Sequence, residues 1–183
     1  MGLKWLFMTM YSVLVHPEAF WKEQRESPHE VNAMKDYAAP VIAIAQLCKI
    51  PLIGVPRSAM IVAMVNFTVD VAVLYLLSGA IVSLVGRNRT ESFQDEVVTM
   101  FSYALTPVWL VEPFYFLGSW RWLFFAVALL HSIFISRYGL QSMLGREVPN
   151  LAVLCGKSAL IVAVTAMTAF MVNSGLIRFF TSF

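Results

Sequence analysis

Asp70 is a carboxylate in the middle of a long apolar stretch, with Asn66 four residues before it. In a helix that spacing puts the two on one face. A carboxylate held in hydrocarbon costs at least ~2.5 kcal/mol by insertion scales, so it turns toward a protein interior or a polar cavity. Two chemistries follow: a site for an ion, a proton or a substrate, or a structural hydrogen-bond knot between helices. A transport cycle needs several such groups, and the sequence sets one well inside its apolar segments, so the structural reading is favoured. Glu112 lies between Pro107 and Pro113 in another apolar segment. Prolines leave backbone carbonyls unpaired, and irregular backbone at membrane depth is tolerated only inside protein or beside a cavity. Asn66, Asp70, Tyr103 and Glu112 are therefore the candidate intramembrane polar site, with Pro107 and Pro113 as helix kinks. The alternative for Glu112 is a kinked packing helix, and it is the favoured one.

Other motifs carry less. Gly156-Lys157-Ser158 resembles the tail of a phosphate-binding loop, but Leu151 stands where the leading glycine belongs and no strand precedes it. His16, His29 and His131 show no ligand spacing with a cysteine or a carboxylate pair, so no metal and no cofactor is expected. Asn66-Phe67-Thr68 and Asn88-Arg89-Thr90 match the glycosylation pattern by chance, one within an apolar segment and one on the expected cytoplasmic side. Neither a Ser/His/Asp arrangement nor a dinucleotide fingerprint is present, and the protein is not expected to be an enzyme.

These residues sit in a chain whose solvent is fixed by composition. Of 183 residues, 59% are apolar and only 13% charged, about half the ~25% charge of a soluble domain. Too little polar surface remains to cover the outside of a soluble fold. The protein is an integral membrane protein by this arithmetic, and its net charge of +2 gives no concentrated basic face for nucleic acid. Cys48 and Cys155 fall in apolar segments and are expected as buried, reduced thiols near opposite membrane faces.

The elements that must position the polar residues are helices. Five apolar stretches approach the ~20 residues needed to cross a bilayer: 37–55, 58–86, 97–117, 120–138 and 158–177. Lys49 lies near one end of the first and is expected to snorkel outward. Leu3, Leu6, Phe7, Met10, Val13 and Leu14 follow helical spacing, which predicts an amphipathic helix lying in the interface. Residues 1–36 form a cytoplasmic arm, in which Ser27, Pro28 and Glu30 compose a helix start. Residues 37–183 form the five-span domain. Of the 13 Lys and Arg, only Lys49, Arg57, Arg121 and Arg178 fall opposite the N-terminus; Arg87, Arg89 and Arg146 fall on its side. This places the N-terminus in the cytoplasm and the C-terminus outside. Gly79 with Ser83, and Ala159 with Ala163, form small-residue steps that predict close helix packing. Trp109, Tyr115, Trp120 and Trp122 predict an aromatic belt at the outer interface.

Several of these pieces occur together in a known pattern. Pro17, Phe20 and Trp21 follow an N-terminal helix; a span opens Tyr37-Ala38-Ala39-Pro40; the third span carries Ser102-Tyr103-Ala104-Leu105-Thr106-Pro107; the fourth ends Tyr138-Gly139-Leu140. In order and spacing the chain resembles the bacterial branch of the Yip (Ypt-interacting protein) domain family over about residues 5 to 180. The resemblance implies a five-span bundle in the bacterial inner membrane with a cytoplasmic N-terminal region. Eukaryotic relatives bind small GTPases, but their Asp-Leu-Tyr-Gly-Pro signature is missing here.

The expected function is a non-enzymatic scaffold or accessory subunit that packs against other integral membrane proteins, with bound lipids and a homo-oligomer also open. The alternative is a small carrier or lipid-handling protein that uses Asp70. It predicts a polar cavity reaching Asp70 from one side.

Overall fold

The computed structural model describes residues 2–26, 32–85, 91–144 and 151–181. The Ser27–Glu30 helix start, the Asn88-Arg89-Thr90 pattern, and Arg87, Arg89 and Arg146 of the orientation argument lie outside them. Among the described residues there are helices and no strands. Five helical segments are long and apolar enough to cross a membrane: Ala33–Ile53, Pro56–Val85, Phe93–Phe116, Gly118–Leu144 and Leu151–Phe179. The all-α, five-span reading therefore holds, with the last two segments, of 27 and 29 residues, clearly longer than their apolar stretches implied. Large side chains such as Leu47, Met64, Leu76, Leu130 and Leu160 point outward, as helices solvated by lipid require.

The N-terminal arm is two helices. The first, α1 (Leu3–Val15), ends at His16 because Pro17 bars its predecessor from the helical region. The same proline opens α2 (Pro17–Glu26). The amphipathic helix exists, but its apolar face is not its free face. Leu6, Met10 and Val13 are buried in the bundle, while Leu3, Phe7, Met8 and Tyr11 remain exposed. Phe20 and Trp21 of α2 are buried in the same core. Polar ties run to the fourth span: His131 Nε2 lies 2.9 Å from the Leu14 carbonyl, and Ser142 donates to the Trp21 carbonyl at 3.2 Å.

The first span opens with a widened turn, Ala33–Ala38, in which the Ala39 N–H reaches back to the Met34 carbonyl. Pro40 follows immediately; its ring cannot seat on a normal preceding turn, and the wider turn accommodates it. The span continues as α3 (Ala39–Ile53) and stops at Gly54, whose φ of 76° is a left-handed cap that favours glycine. Pro56 then opens α4 (Pro56–Val85). The third span is broken into α5 (Glu91–Ala104), α6 (Thr106–Val111) and a tighter turn at Glu112–Phe116. It is the central element, 72% of its most apolar stretch being buried, and it touches α3, α4 and the fourth span. The last two spans are built on α7 (Arg121–Leu144) and α8 (Leu151–Thr181).

The break in the third span is stabilised locally. Pro107 has no N–H, which leaves the Tyr103 carbonyl without its helical donor. Thr106 supplies one, donating from Oγ1 to that carbonyl at 2.7 Å. Its own oxygen lies 2.9 Å from the Tyr37 hydroxyl, which must then be the donor of that bond. At the second break the Glu112 N–H bonds the Trp109 carbonyl, the group that Pro113 leaves vacant. Both expected kinks are present, and their carbonyls are paired within the chain.

Packing departs from the small-residue expectation. Gly79 and Ser83 face outward, and a Cβ built on Gly79 meets nothing within 4 Å. Ala159 and Ala163 are only half-buried; the buried face of α8 runs instead through Ser158, Val162, Ala166 and Ala169. The close approach is at Gly139, where a Cβ would lie 2.6 Å from Met100 Cγ and 3.0 Å from Trp21 Cζ2. Gly139→Ala is therefore expected to destabilise by about 1–3 kcal/mol through overpacking. Thermal unfolding in detergent checks this, with Gly79→Ala as a control that leaves the transition unchanged or raises it. Two further expectations are corrected. Trp109 and Tyr115 are buried rather than belted, leaving Trp120 and Trp122 as the exposed pair. Cys48 is exposed and Cys155 half-buried, both as free thiols.

Candidate functional site

Three spans and α8 converge on a layer of buried polar side chains. On α3 the inward face carries Ala45, Gln46, Lys49 and Ile53; on α4 it carries Val62, Asn66, Asp70 and Leu74. Helical periodicity makes each set contiguous, so the polar pair on each helix is flanked by apolar residues that bury it. Glu112 enters from the second break of the third span, between buried Trp109 and Tyr115. Asn173 joins from α8. The neighbouring apolar residues belong to two separate clusters. One contains Ala45, Leu74, Trp109 and the docked arm; the other contains Ile53, Val62, Tyr115 and Phe170. On α3, α4 and the third span, the polar layer falls between them.

Every charged member is closed off from the outside: Lys49 is 0% exposed, Glu112 1% and Asp70 3%. Lys49 pairs with Oε2 of Glu112. The Gln46 amide nitrogen donates to Asp70 Oδ2 and to Glu112 Oε2, each at 2.9 Å, and so bridges the two carboxylates. Asn173 Nδ2 makes a longer contact of 3.5 Å with Glu112 Oε1. The amide oxygens of Gln46 and Asn173, both polar atoms of Asn66 and the Ser174 hydroxyl are buried with no partner. With both carboxylates ionised, the set holds two negative charges against one positive.

Of the residues expected at the polar site, the structure brings Asp70 and Glu112 together and buries Asn66 one turn away on the same face. Tyr103 is not part of the layer. Its ring packs against Phe20, Trp21 and Tyr37, with centroid separations of 4.9, 6.0 and 4.6 Å. It precedes Glu112 by nine positions, a rise of roughly 13 Å along a helix. Lys49 does not snorkel, because it shares the inward face of α3 with Gln46. The count of one charge within the apolar segments becomes three. Gln46, Lys49 and Asn173 were missed, although each is a rare polar residue in an apolar span. Collecting those residues from all the spans at once gives this set.

The three described cavities lie elsewhere: beside the arm at Trp5 and Phe20, between α7 and α8 at Arg137 and Cys155, and at the α1–α2 corner by His16 and Tyr138. None of the three is lined by Asp70, whereas the carrier alternative predicts a polar cavity that reaches it. Among the described residues no three His, Cys, Asp or Glu side chains are placed to hold a metal ion. Comparison with protein-family models, with curated proteins and with solved structures finds no match for this chain.

Proposed function

We propose that this multi-pass membrane protein is a small carrier that moves a cation, alone or together with a polar solute, through its buried charged layer. The observation that carries the reading is the meeting of Lys49, Asp70 and Glu112 inside a bundle of membrane-length helices. Ionisable groups at such positions are expensive and mark ion or substrate pathways by default. A structural knot needs only a balanced pair, and Lys49 with Glu112 would serve. Asp70 adds a second carboxylate, whose desolvation a purely structural site has no reason to bear. The breaks on either side of α6 supply a hinge by which Glu112 can move relative to Lys49. By the Lys/Arg bias and the Yip-type resemblance, the protein is assigned to the bacterial inner membrane, N-terminus in the cytoplasm.

The test is water access. In a chain with Cys48 and Cys155 replaced by serine, Val62→Cys places a thiol one turn from Asn66, at a site that is 0% exposed. A carrier opens this position to one side at a time, so a charged, membrane-impermeant thiol reagent is expected to label it in vesicles. Arg57→Cys, at the exposed start of α4, is the positive control. Labelling of the Arg57→Cys variant with none of the Val62→Cys variant from either side would sink the carrier reading.

One observation favours the accessory-subunit alternative. Gly79 and Ser83 face outward on α4 with open space over Gly79, where another protein's helix could approach closely. Under that reading Gly79→Leu shifts the protein to a smaller species on a native gel from mild-detergent membranes.

A further inference from the structure

We infer that the polar layer binds one monovalent metal cation, sodium being the probe, through oxygen atoms of Asp70, Asn66, Gln46 and Asn173. The inference rests on the carrier reading and names the ion that the carrier would move. Charge comes first. Lys49 pairs with Glu112, and the neutral Gln46 amide bridges Glu112 and Asp70; with both carboxylates ionised, a single positive charge beside Asp70 neutralises the set. A divalent ion would leave the closed layer with an excess positive charge.

The donors come second. Gln46 and Asn173 present their nitrogens to the carboxylates, and this leaves both amide oxygens buried and unpaired in the same layer. Asn66, 0% exposed and one turn from Asp70, has no partner for either polar atom. Buried amides without partners cost free energy that a native fold recovers through a ligand or water. The donor set is carboxylate and carbonyl oxygen, with no thiolate or imidazole. That chemistry suits a hard cation rather than a transition metal.

The number of orphaned oxygens separates sodium from a proton. A proton binds one carboxylate oxygen and leaves the amide oxygens of Gln46, Asn66 and Asn173 as they are. A sodium ion coordinates several at once.

The experiment reads Asp70 directly. A hydrophobic carbodiimide modifies carboxyl groups in apolar surroundings, and mass spectrometry of the full chain in neutral detergent locates the adduct. Sodium chloride is compared with choline chloride at equal ionic strength. Sodium is expected to slow modification of Asp70 about tenfold when its concentration is some ten times its dissociation constant. Asn66→Leu removes an unpaired polar side chain, so it is expected to fold at least as well as the parent, and to lose the protection by sodium. Equal rates in the two salts, or full protection in Asn66→Leu, overturn the sodium site. The carrier reading is judged separately: labelling of the Val62→Cys variant with sodium-indifferent modification of Asp70 leaves a carrier of another cation, such as the proton. A Val62→Cys variant that stays unlabelled removes the carrier reading, and sodium protection of Asp70 in the parent then marks a bound structural ion.

Discussion

Lys49→Met is expected to destabilise the protein by about 3–5 kcal/mol, the cost of leaving a buried charge without its partner. Glu112 is 1% exposed, and its Oε2 accepts from both Lys49 and Gln46. Without the ammonium, Glu112 and Asp70 face each other across one neutral amide. The double variant Lys49→Met with Glu112→Gln returns the layer to the parent's net charge, because Gln keeps the shape of Glu and removes its charge. It should recover most of the loss, since replacing both members of a buried pair is often close to neutral. Thermal or denaturant unfolding of the four proteins in one detergent closes the double-mutant cycle. Additive losses in the double variant would show that the pair does not act as a unit. Loss from the single change of less than about 1 kcal/mol, typical of a solvated pair, would place Lys49 in contact with water.

Trp21→Ala is expected to cost about 3–5 kcal/mol, as large-to-small changes of buried aromatics do. The indole is 5% exposed and packs against Phe20 and Tyr103, with centroids at 5.2 and 6.0 Å. It also borders Gly139, so its removal opens a void where α2 meets the third and fourth spans. The consequence should be local as well as global. The arm is held by Phe20 and Trp21 on α2 and by Leu6, Met10 and Val13 on α1. Lys22 and Arg25 are exposed already, so losing the arm's largest contact should let α2 unwind and be cut there by trypsin in micelles before the spans unfold. An arm that merely lay in the interface, as its amphipathic pattern alone predicts, would leave the unfolding transition of Trp21→Ala where it was.

That contrast shows where the sequence was informative. Span number and type were legible because length and apolar content decide them, and the end of the N-terminal helix was legible because Pro17 acts locally. The kinks could be read at Pro107 and Pro113 for the same reason. The destination of an apolar face could not: α1 has the same periodicity whether it meets lipid or protein, and the residues that receive it come from distant spans. Polar residues failed in a similar way. Asn66 and Asp70 are one turn apart and so were read as a pair. Lys49 and Glu112 come from separate helices, and a lysine near a span's end looks like one that reaches for water. Tyr103 was grouped with Glu112 because both lie in the third span, yet the widened turn at Ala33–Ala38 brings Tyr37 to it instead.

The ion pair also bears on the order in which the chain is made. The spans that contribute Lys49 and Glu112 are the least apolar of the five, with mean hydropathy 1.3 each, against 2.1 and 2.0 for those built on α4 and α8. The two residues are 63 positions apart. During synthesis the lysine therefore reaches the translocon well before its carboxylate exists, at an insertion penalty of roughly 2.5–3.5 kcal/mol if it must wait in lipid. The next helix to emerge is α4, strongly apolar and carrying Asp70, joined to α3 through Gly54 and Val55. The first two spans can thus enter as a hairpin, each supplying what the other lacks. Asp70 then stands in as the counter-charge until the third span delivers Glu112.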